Sequence, residues 1–337
     1  MKTYKKKGMR GGKLLGTGAH GTVYNVGNDS EAPSFYTLLM SKSVQSIRIY
    51  SSDGFFKNHM KPQHLVLFQD YINESKGKIA KVLKPTKDIE SKFENELAEN
   101  RRVINIFNTQ AEKYLTISAL PPFLGKDVIG CILYLYVGEP IYVCFSNKCE
   151  NNFTPDLDKL IADILQSIEI LQITSYRHND IKLDNIVKCG DTYKLIDWEQ
   201  IGKITDLGKR GTLIATSPIR WYLEGYQPFI AKQIMSVKTT MRNFGFSRST
   251  MYKTVAETIN SEFDSVIATN PDKTELAIKY AYSFDIFMLG MTILHAVYKY
   301  KLSFEKYKAT ILKFTSLKEP VKNAIEASAF ITQSRSN

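Results

Sequence analysis

The sequence predicts an α+β protein with a small β-rich N-terminal part and a mainly helical C-terminal part. Three observations carry that expectation. "KLLGTGAHGTVYNVG" and "GKIAKVLK" set sheet-forming residues around a glycine turn. "TPDLDKLIADILQSIEILQIT" repeats Leu157, Leu160, Ile161, Ile164, Leu165, Ile168 and Leu171 at helical spacing. A second apolar helical run returns from Phe284 to Val297. With 337 residues the chain is long enough for one large domain or for two lobes sharing a cleft, and 43% hydrophobic residues supply a substantial core.

Residues 1–12 read as a solvated basic tail, since six of the first thirteen residues are Lys or Arg and none is acidic. Strand, glycine turn and strand follow, with Val23, Tyr24 and Val26 suited to a sheet. Residues 28–77 mix turn residues with short apolar runs and read as an insertion. A compact strand surrounds Lys81. The next segment, "DIESKFENELAENRRVINIF", aligns Phe93, Leu97, Ile104 and Phe107 on one helical stripe. Glu96 projects about 100° from Leu97, at the edge of that stripe. "VIGCILYLYVGEPIYVCF" gives two strands broken at Gly138-Glu139-Pro140. In the long helix that follows, Thr154 is the expected cap and Pro155 the first helical position. A polar stretch, "YRHNDIKLDN", then leads through a strand pair, "NIVKCGDTYKLID", to Asp197. Residues 226–280 show no matching core pattern and read as a second insertion. Short helices and a polar tail are expected over the last forty residues.

The formal charge of +11 favours acidic partners without choosing among nucleic acid, anionic membrane, phosphate ligands and acidic proteins. Cys131, Cys144, Cys149 and Cys189 form no CxxC pair and have no histidine at zinc spacing, so reduced thiols in an intracellular, cytoplasmic protein are expected. No apolar core of a signal peptide follows the basic start. The longest apolar run, Ile286 to Tyr298, is too short to span a bilayer and reads as a buried helix.

Three groups of residues carry candidate chemistry. Gly16, Gly18 and Gly21 with Val23 give GxGxxGxV between two strands, where glycines let backbone approach phosphates closely. Many such loops are only hairpins, and a dinucleotide-binding unit would need a helix directly after the glycines. Lys81, flanked by Ile79 and Val82, must pair if its ammonium is buried, and Glu96 can pair it. A surface lysine on an edge strand explains the same pattern. In "HNDIKLDN", Asp180, Lys182 and Asn185 give D-x-K-x-x-N, and Asp197 lies twelve residues past Asn185. Phosphoryl transfer needs an in-line hydroxyl, magnesium ligands and charge on the phosphates. Asp180 can orient and deprotonate a hydroxyl, Asn185 and Asp197 are hard oxygen ligands for Mg²⁺, and Lys182 can neutralise the transferring phosphate.

Taken in order, these motifs resemble the protein kinase superfamily over roughly residues 12–27, 77–220 and 280–300. The resemblance implies a two-lobed kinase-like fold, with an N-lobe over 13–138 and a C-lobe over 139–337. It implies ATP and Mg²⁺ as cofactors and phosphoryl transfer to protein hydroxyls. Gly16, Gly18, Gly21 and Val23 would cover the ATP phosphates. Lys81 would hold the α- and β-phosphates and pair with Glu96. Leu135 to Val137 would be the adenine-binding hinge. Asp180 would be the catalytic aspartate, Asn185 and Asp197 the magnesium ligands, and Asp285 a buried aspartate steadying the catalytic loop. Lysine at Lys182 is the Ser/Thr rather than the Tyr pattern. The "RGGKLLGTGAHGTVY" opening, the large insertions and the "HND" loop look like kinases of large DNA viruses, which would place the protein in host cytoplasm or virion.

Four features depart from the family pattern. Asn179 replaces the catalytic-loop Arg that normally pairs with a phosphate on the activation loop, so activity independent of loop phosphorylation is expected. "DFG" becomes Asp197-Trp198-Glu199, which restricts the flip that glycine permits. Ala-Pro-Glu becomes Ser217-Pro218-Ile219, and no Arg lies between Arg248 and Arg335, so both members of the usual buried pair are lost together. The chain after the Phe284–Val297 helix is short for the family's C-terminal lobe.

Two other readings remain open. A small-molecule kinase of the aminoglycoside or choline type also carries an HxDxxxxN loop, and "IDWE" suits it. A pseudokinase module would use the basic surface to hold a partner. Residues 201–255 carry nine Lys or Arg against two acidic residues, so the expected protein substrate has acidic flanks. No specific nucleic acid and no membrane partner is expected.

Overall fold

The computed structural model describes residues 13–17, 21–25, 78–83, 95, 98, 118–120, 131–135, 139–140, 154–189, 191–206, 216–228, 230–231, 249–269 and 272–336. The tail expected over 1–12 and the insertion expected over 28–77 lie outside these residues, as do Gly18, Glu96 and Val137. The chain divides into two compact units, Met1–Val137 and Gly138–Asn337. The architecture is α+β: antiparallel sheets with a mostly helical second unit.

The first unit holds a five-stranded antiparallel sheet. Its strands are β1 (Lys13–Thr17), β2 (Gly21–Asn25), β3 (Lys78–Leu83), β4 (Ser118–Leu120) and β5 (Cys131–Leu135). Their order is β1-β2-β3-β5-β4. Strand β3 pairs on both sides, with Lys81 opposite Val23 on β2 and Ile132 on β5. It is therefore the central strand, and the edge-strand explanation for Lys81 does not hold. Register shifts between Leu14 and Gly16, where Gly16 comes opposite Val23. Such a shift is the local kink a glycine accommodates. Of the helix expected after β3, Asn95 and Ala98 are described, and both are helical.

The second unit is built on α1 (Leu157–Ile173), whose apolar stripe Leu160, Ile164, Ile168 and Leu171 is wholly buried. The helix starts later than expected. Asp156, not Thr154, is the cap, and its carboxylate accepts from Lys159 N at 3.1 Å. Aspartate satisfies a first-turn amide as well as threonine does, and Pro155 then precedes the helix instead of opening it. At the far end, buried Gln172 donates to Tyr282 O at 2.7 Å and accepts from Ala324 N at 2.9 Å.

A short strand β6 (Glu139–Pro140) pairs with β8 (Ile186–Cys189), which forms a hairpin with β9 (Thr192–Leu195). Strand β7 (Tyr176–Arg177) pairs with β10 (Gly202–Lys203). The remaining helices are α2 (Pro218–Leu223), α3 (Thr250–Thr269), α4 (Lys273–Tyr280), α5 (Phe284–Lys299), α6 (Phe304–Thr315) and α7 (Ala324–Ser336).

Residues 226–280 do contain a core pattern over α3 and α4. Tyr252, Val255, Ala256, Ile259, Phe263 and Val266 recur at three and four and are buried, as are Leu276 and Tyr280. Helix α3 is also tied in through its interior: Glu262 Oε2 accepts from Ser316 Oγ at 3.2 Å and Lys318 N at 3.2 Å.

Helix α5 is the centre of the unit, buried from Phe284 through Val297. Among the described residues no single helix is long and apolar enough to cross a membrane. Helix α6 packs closely on α5 at Gly290. A Cβ there would meet Thr315 Cγ2 at 2.8 Å and Phe314 Cβ at 2.9 Å. Gly290→Ala gains up to about 1 kcal/mol of helix propensity. It must also push two packed helices apart, which costs about 1–3 kcal/mol. A lower urea midpoint is expected, and an unchanged or raised midpoint would show that α6 can yield.

Candidate functional site

The polar stretch His178–Asn185 follows β7 and is held from several sides. Asp285, in the first turn of α5 and 1% exposed, accepts from His178 N at 2.7 Å and Asn179 N at 2.9 Å. Two turns further along, Thr292 Oγ1 lies within hydrogen-bond distance of both Ile181 O, at 3.1 Å, and Met288 O on its own helix, at 2.8 Å. Asp285 thus takes two amides of the stretch expected to form the catalytic loop.

The His178 ring is fully buried. Nδ1 accepts from Asp180 N at 3.2 Å, so the proton sits on Nε2, which donates to Ile196 O at 3.1 Å. Burial pushes the imidazole below its usual value, although Asp285, Asp180 and Asp197 pull it upward. The neutral ring lies against Trp198, with centroids 4.6 Å apart.

Asp180, Lys182 and Asn185 meet. Lys182 Nζ donates to Asp180 Oδ2 at 2.8 Å, and Asn185 Nδ2 donates to the same oxygen at 2.8 Å. Asn185 Nδ2 also reaches Asp180 O at 2.9 Å. With its nitrogen committed to Asp180, Asn185 presents Oδ1 as the atom able to bind a cation. Ile196 N donates to Asn185 O at 2.9 Å, which brings Asp197 alongside this cluster. Asp197 adopts a left-handed backbone, φ 64° and ψ 71°, and Asn179 has φ 65°. Non-glycine residues pay for that conformation, and such strain concentrates at functional sites.

The Asn185 amide oxygen and the Asp197 carboxylate are hard oxygen donors of the kind magnesium accepts, and magnesium keeps waters and takes few protein ligands. Among the described residues no group of three or more His, Cys, Asp or Glu side chains forms a metal site. Glu199 lies in the 3-10 turn Trp198–Gln200, a conformation that needs no glycine.

Of the expected residues, Asp180, Lys182 and Asn185 are joined by hydrogen bonds in the second unit, and Asp197 follows Ile196, whose amide donates to Asn185 O. Gly16, Gly21, Val23, Lys81 and Leu135 are on β1, β2, β3 and β5 of the first unit. Sequence reasoning missed Arg220. Arg220 Nε donates to Glu224 Oε1 at 3.2 Å, a buried ion pair four residues apart. Their side chains are 0% and 7% exposed. Arginine within "PIRWYL" followed by glutamate four residues on was the available signal. Helix α2 itself starts where Ser217 caps Ile219 N, with Pro218 next. Arg177, also buried, donates to Ala281 O, Lys203 O and Asp206 O at 3.3, 3.4 and 2.8 Å. Burial and the neighbouring Arg220 bring it down to about 10.

Behind the loop, burial raises the Asp184 carboxyl against the pull of Lys182 and Lys299. Burial lowers Lys299 to about 8 and His295 to about 3. An unfolded histidine titrates near about 6.5, so below that pH the unfolded chain binds protons that folded His295 refuses. Stability is expected to fall as pH drops from about 6.5 towards 3, by up to about 1.4 kcal/mol per pH unit for this group. His295→Gln is expected to flatten the decline in urea midpoint between pH 7 and pH 5. An unchanged decline would assign it to other groups.

No protein-family model matches the chain, and no curated protein matches it.

Proposed function

We propose that the protein is a two-lobed Ser/Thr protein kinase that uses Mg²⁺ and ATP to phosphorylate protein hydroxyls. The observation that carries this reading is the arrangement around Asp180. Lys182 and Asn185 both donate to one Asp180 oxygen, while Asp285 holds the amides of the two preceding residues. A carboxylate positioned in this way can orient an attacking hydroxyl and accept its proton. Lys182 can move from Asp180 to the transferring phosphate. Asn185 and Asp197 would hold magnesium, which supplies charge neutralisation at the phosphates. Gly16, Gly18, Gly21, Val23, Leu135 and Val137 would bind the nucleotide, and Lys81, paired with Glu96, would hold its phosphates. The chain would act inside a cell, in host cytoplasm or a virion.

The test is transfer of labelled γ-phosphate from Mg-ATP to casein by the full chain. Transfer is the expected result. Labelling of a small amino alcohol and not of protein would favour the aminoglycoside-type reading instead. The basic character of residues 201–255 supports acidic flanks around the target Ser or Thr, though Arg220 is buried in an ion pair and cannot contribute. Lys203 and Lys253 are exposed and can. A peptide array is expected to favour Asp and Glu near the acceptor; preference for basic flanks would overturn this substrate class.

A further inference from the structure

Asn179 stands directly before Asp180, and both ends of its side-chain amide are engaged. Nδ2 donates to Gln200 O at 2.9 Å, and Oδ1 accepts from Arg220 Nη1 at 2.5 Å. Arg220 reaches this position from α2, wholly buried and charge-balanced by Glu224 on its own helix. Its guanidinium carbon also lies 5.6 Å from the centroid of the Phe284 ring, next to Asp285. One guanidinium therefore joins α2, the start of α5, the loop carrying Asp180 and, through Asn179, the turn after Asp197.

A left-handed asparagine costs about 1 kcal/mol or more and persists only where its surroundings over-determine it. At Asn179 three hydrogen bonds do so: its amide to Asp285, its Nδ2 to Gln200 and its Oδ1 from Arg220. A buried ion pair adds little net stability compared with apolar packing, so Arg220–Glu224 is poorly explained as a stabiliser alone. What the pair provides is a guanidinium fixed in direction and aimed at Asn179.

We infer that Arg220 is a positioning residue for Asp180, acting through Asn179 as a cation built into the chain. The inference rests on the kinase reading for its catalytic consequence but not for its structural one. The loop's shape is then set from within, and no phosphate is needed to hold it.

The test uses the full chain with Arg220→Met, Arg220→Lys, Asn179→Gly and the double variant Arg220→Met/Asn179→Gly. Glycine keeps the left-handed backbone and removes only the side-chain link. Amide exchange at His178 and Asn179 is expected to rise about tenfold in Arg220→Met while α6 keeps the parent's rates. kcat is expected to fall about 10- to 100-fold with KM for Mg-ATP within about threefold. Arg220→Lys should recover part of kcat, and the double variant should be no worse than Arg220→Met alone. Exchange that is unchanged at the loop, or that rises equally in α6, overturns the inference, as do additive losses in the double variant. If the parent transfers no phosphate, the kinase reading falls by itself, and the exchange result alone decides whether Arg220 sets the loop.

Discussion

Asp197→Asn is expected, on the proposed kinase reading, to reduce phosphoryl transfer at least about a thousandfold, or roughly 4 kcal/mol of barrier. The substitution removes a charge and leaves nearly everything else. Asparagine tolerates the left-handed backbone that Asp197 adopts, so no new strain is introduced. What is lost is the carboxylate that would balance magnesium beside Asn185, and an amide oxygen is a far weaker ligand for a hard dication. The deficit should shrink as magnesium is raised, because on that reading the variant would weaken metal binding. Asp180→Asn gives a different signature. It keeps an oxygen for Lys182 and Asn185 but cannot accept a proton. A loss of about 10²–10⁴-fold in kcat is expected, with little change in KM for Mg-ATP and no rescue by magnesium. Full activity in either variant, with the parent's thermal stability, would remove that residue from its role.

The parts of this fold that were legible in the sequence are those fixed by local spacing. Helix α1 announced itself through seven apolar residues at three and four, and the β8–β9 hairpin through a Gly-Asp turn between short apolar runs. The stretch from His178 to Asn185 was legible because four polar functions crowd into eight residues between apolar segments. Helix α3 was not. Its buried stripe is diluted by Thr, Lys, Glu and Ser on the other faces, and Tyr252 and Ala256 are weak markers of a core. The Arg220–Asn179 bond was invisible for another reason. It joins residues forty-one positions apart, and only tertiary packing can show which buried donor meets which acceptor. The cap of α1 was misplaced by two residues because Thr154 and Asp156 are both good caps, and the choice turns on where Pro155 falls.

Asp285→Ala is expected to destabilise the second unit by about 3–5 kcal/mol, a large effect that does not depend on the protein's function. The side chain is 1% exposed and its two oxygens accept from two consecutive backbone amides at 2.7 and 2.9 Å. Hydrogen bonds to a charged acceptor contribute about 1.5–3 kcal/mol each, and an amide left buried without a partner costs about 1–3 kcal/mol. Neither amide can turn to water, since His178 and Asn179 are themselves 0% exposed. The loop must then open or carry the penalty. Asp285→Asn separates these contributions, because one carbonyl oxygen can serve one amide while the new NH₂ faces the other; a loss near half that of alanine is expected. The same pair of variants also tests how Asp180 is held. If the loop opens, phosphoryl transfer should fall further than stability alone predicts, and the excess should be greater for alanine than for asparagine. A urea midpoint equal to the parent's in Asp285→Ala would mean that Thr292 and Arg220 hold the loop without it, and the aspartate would lose its place as the anchor.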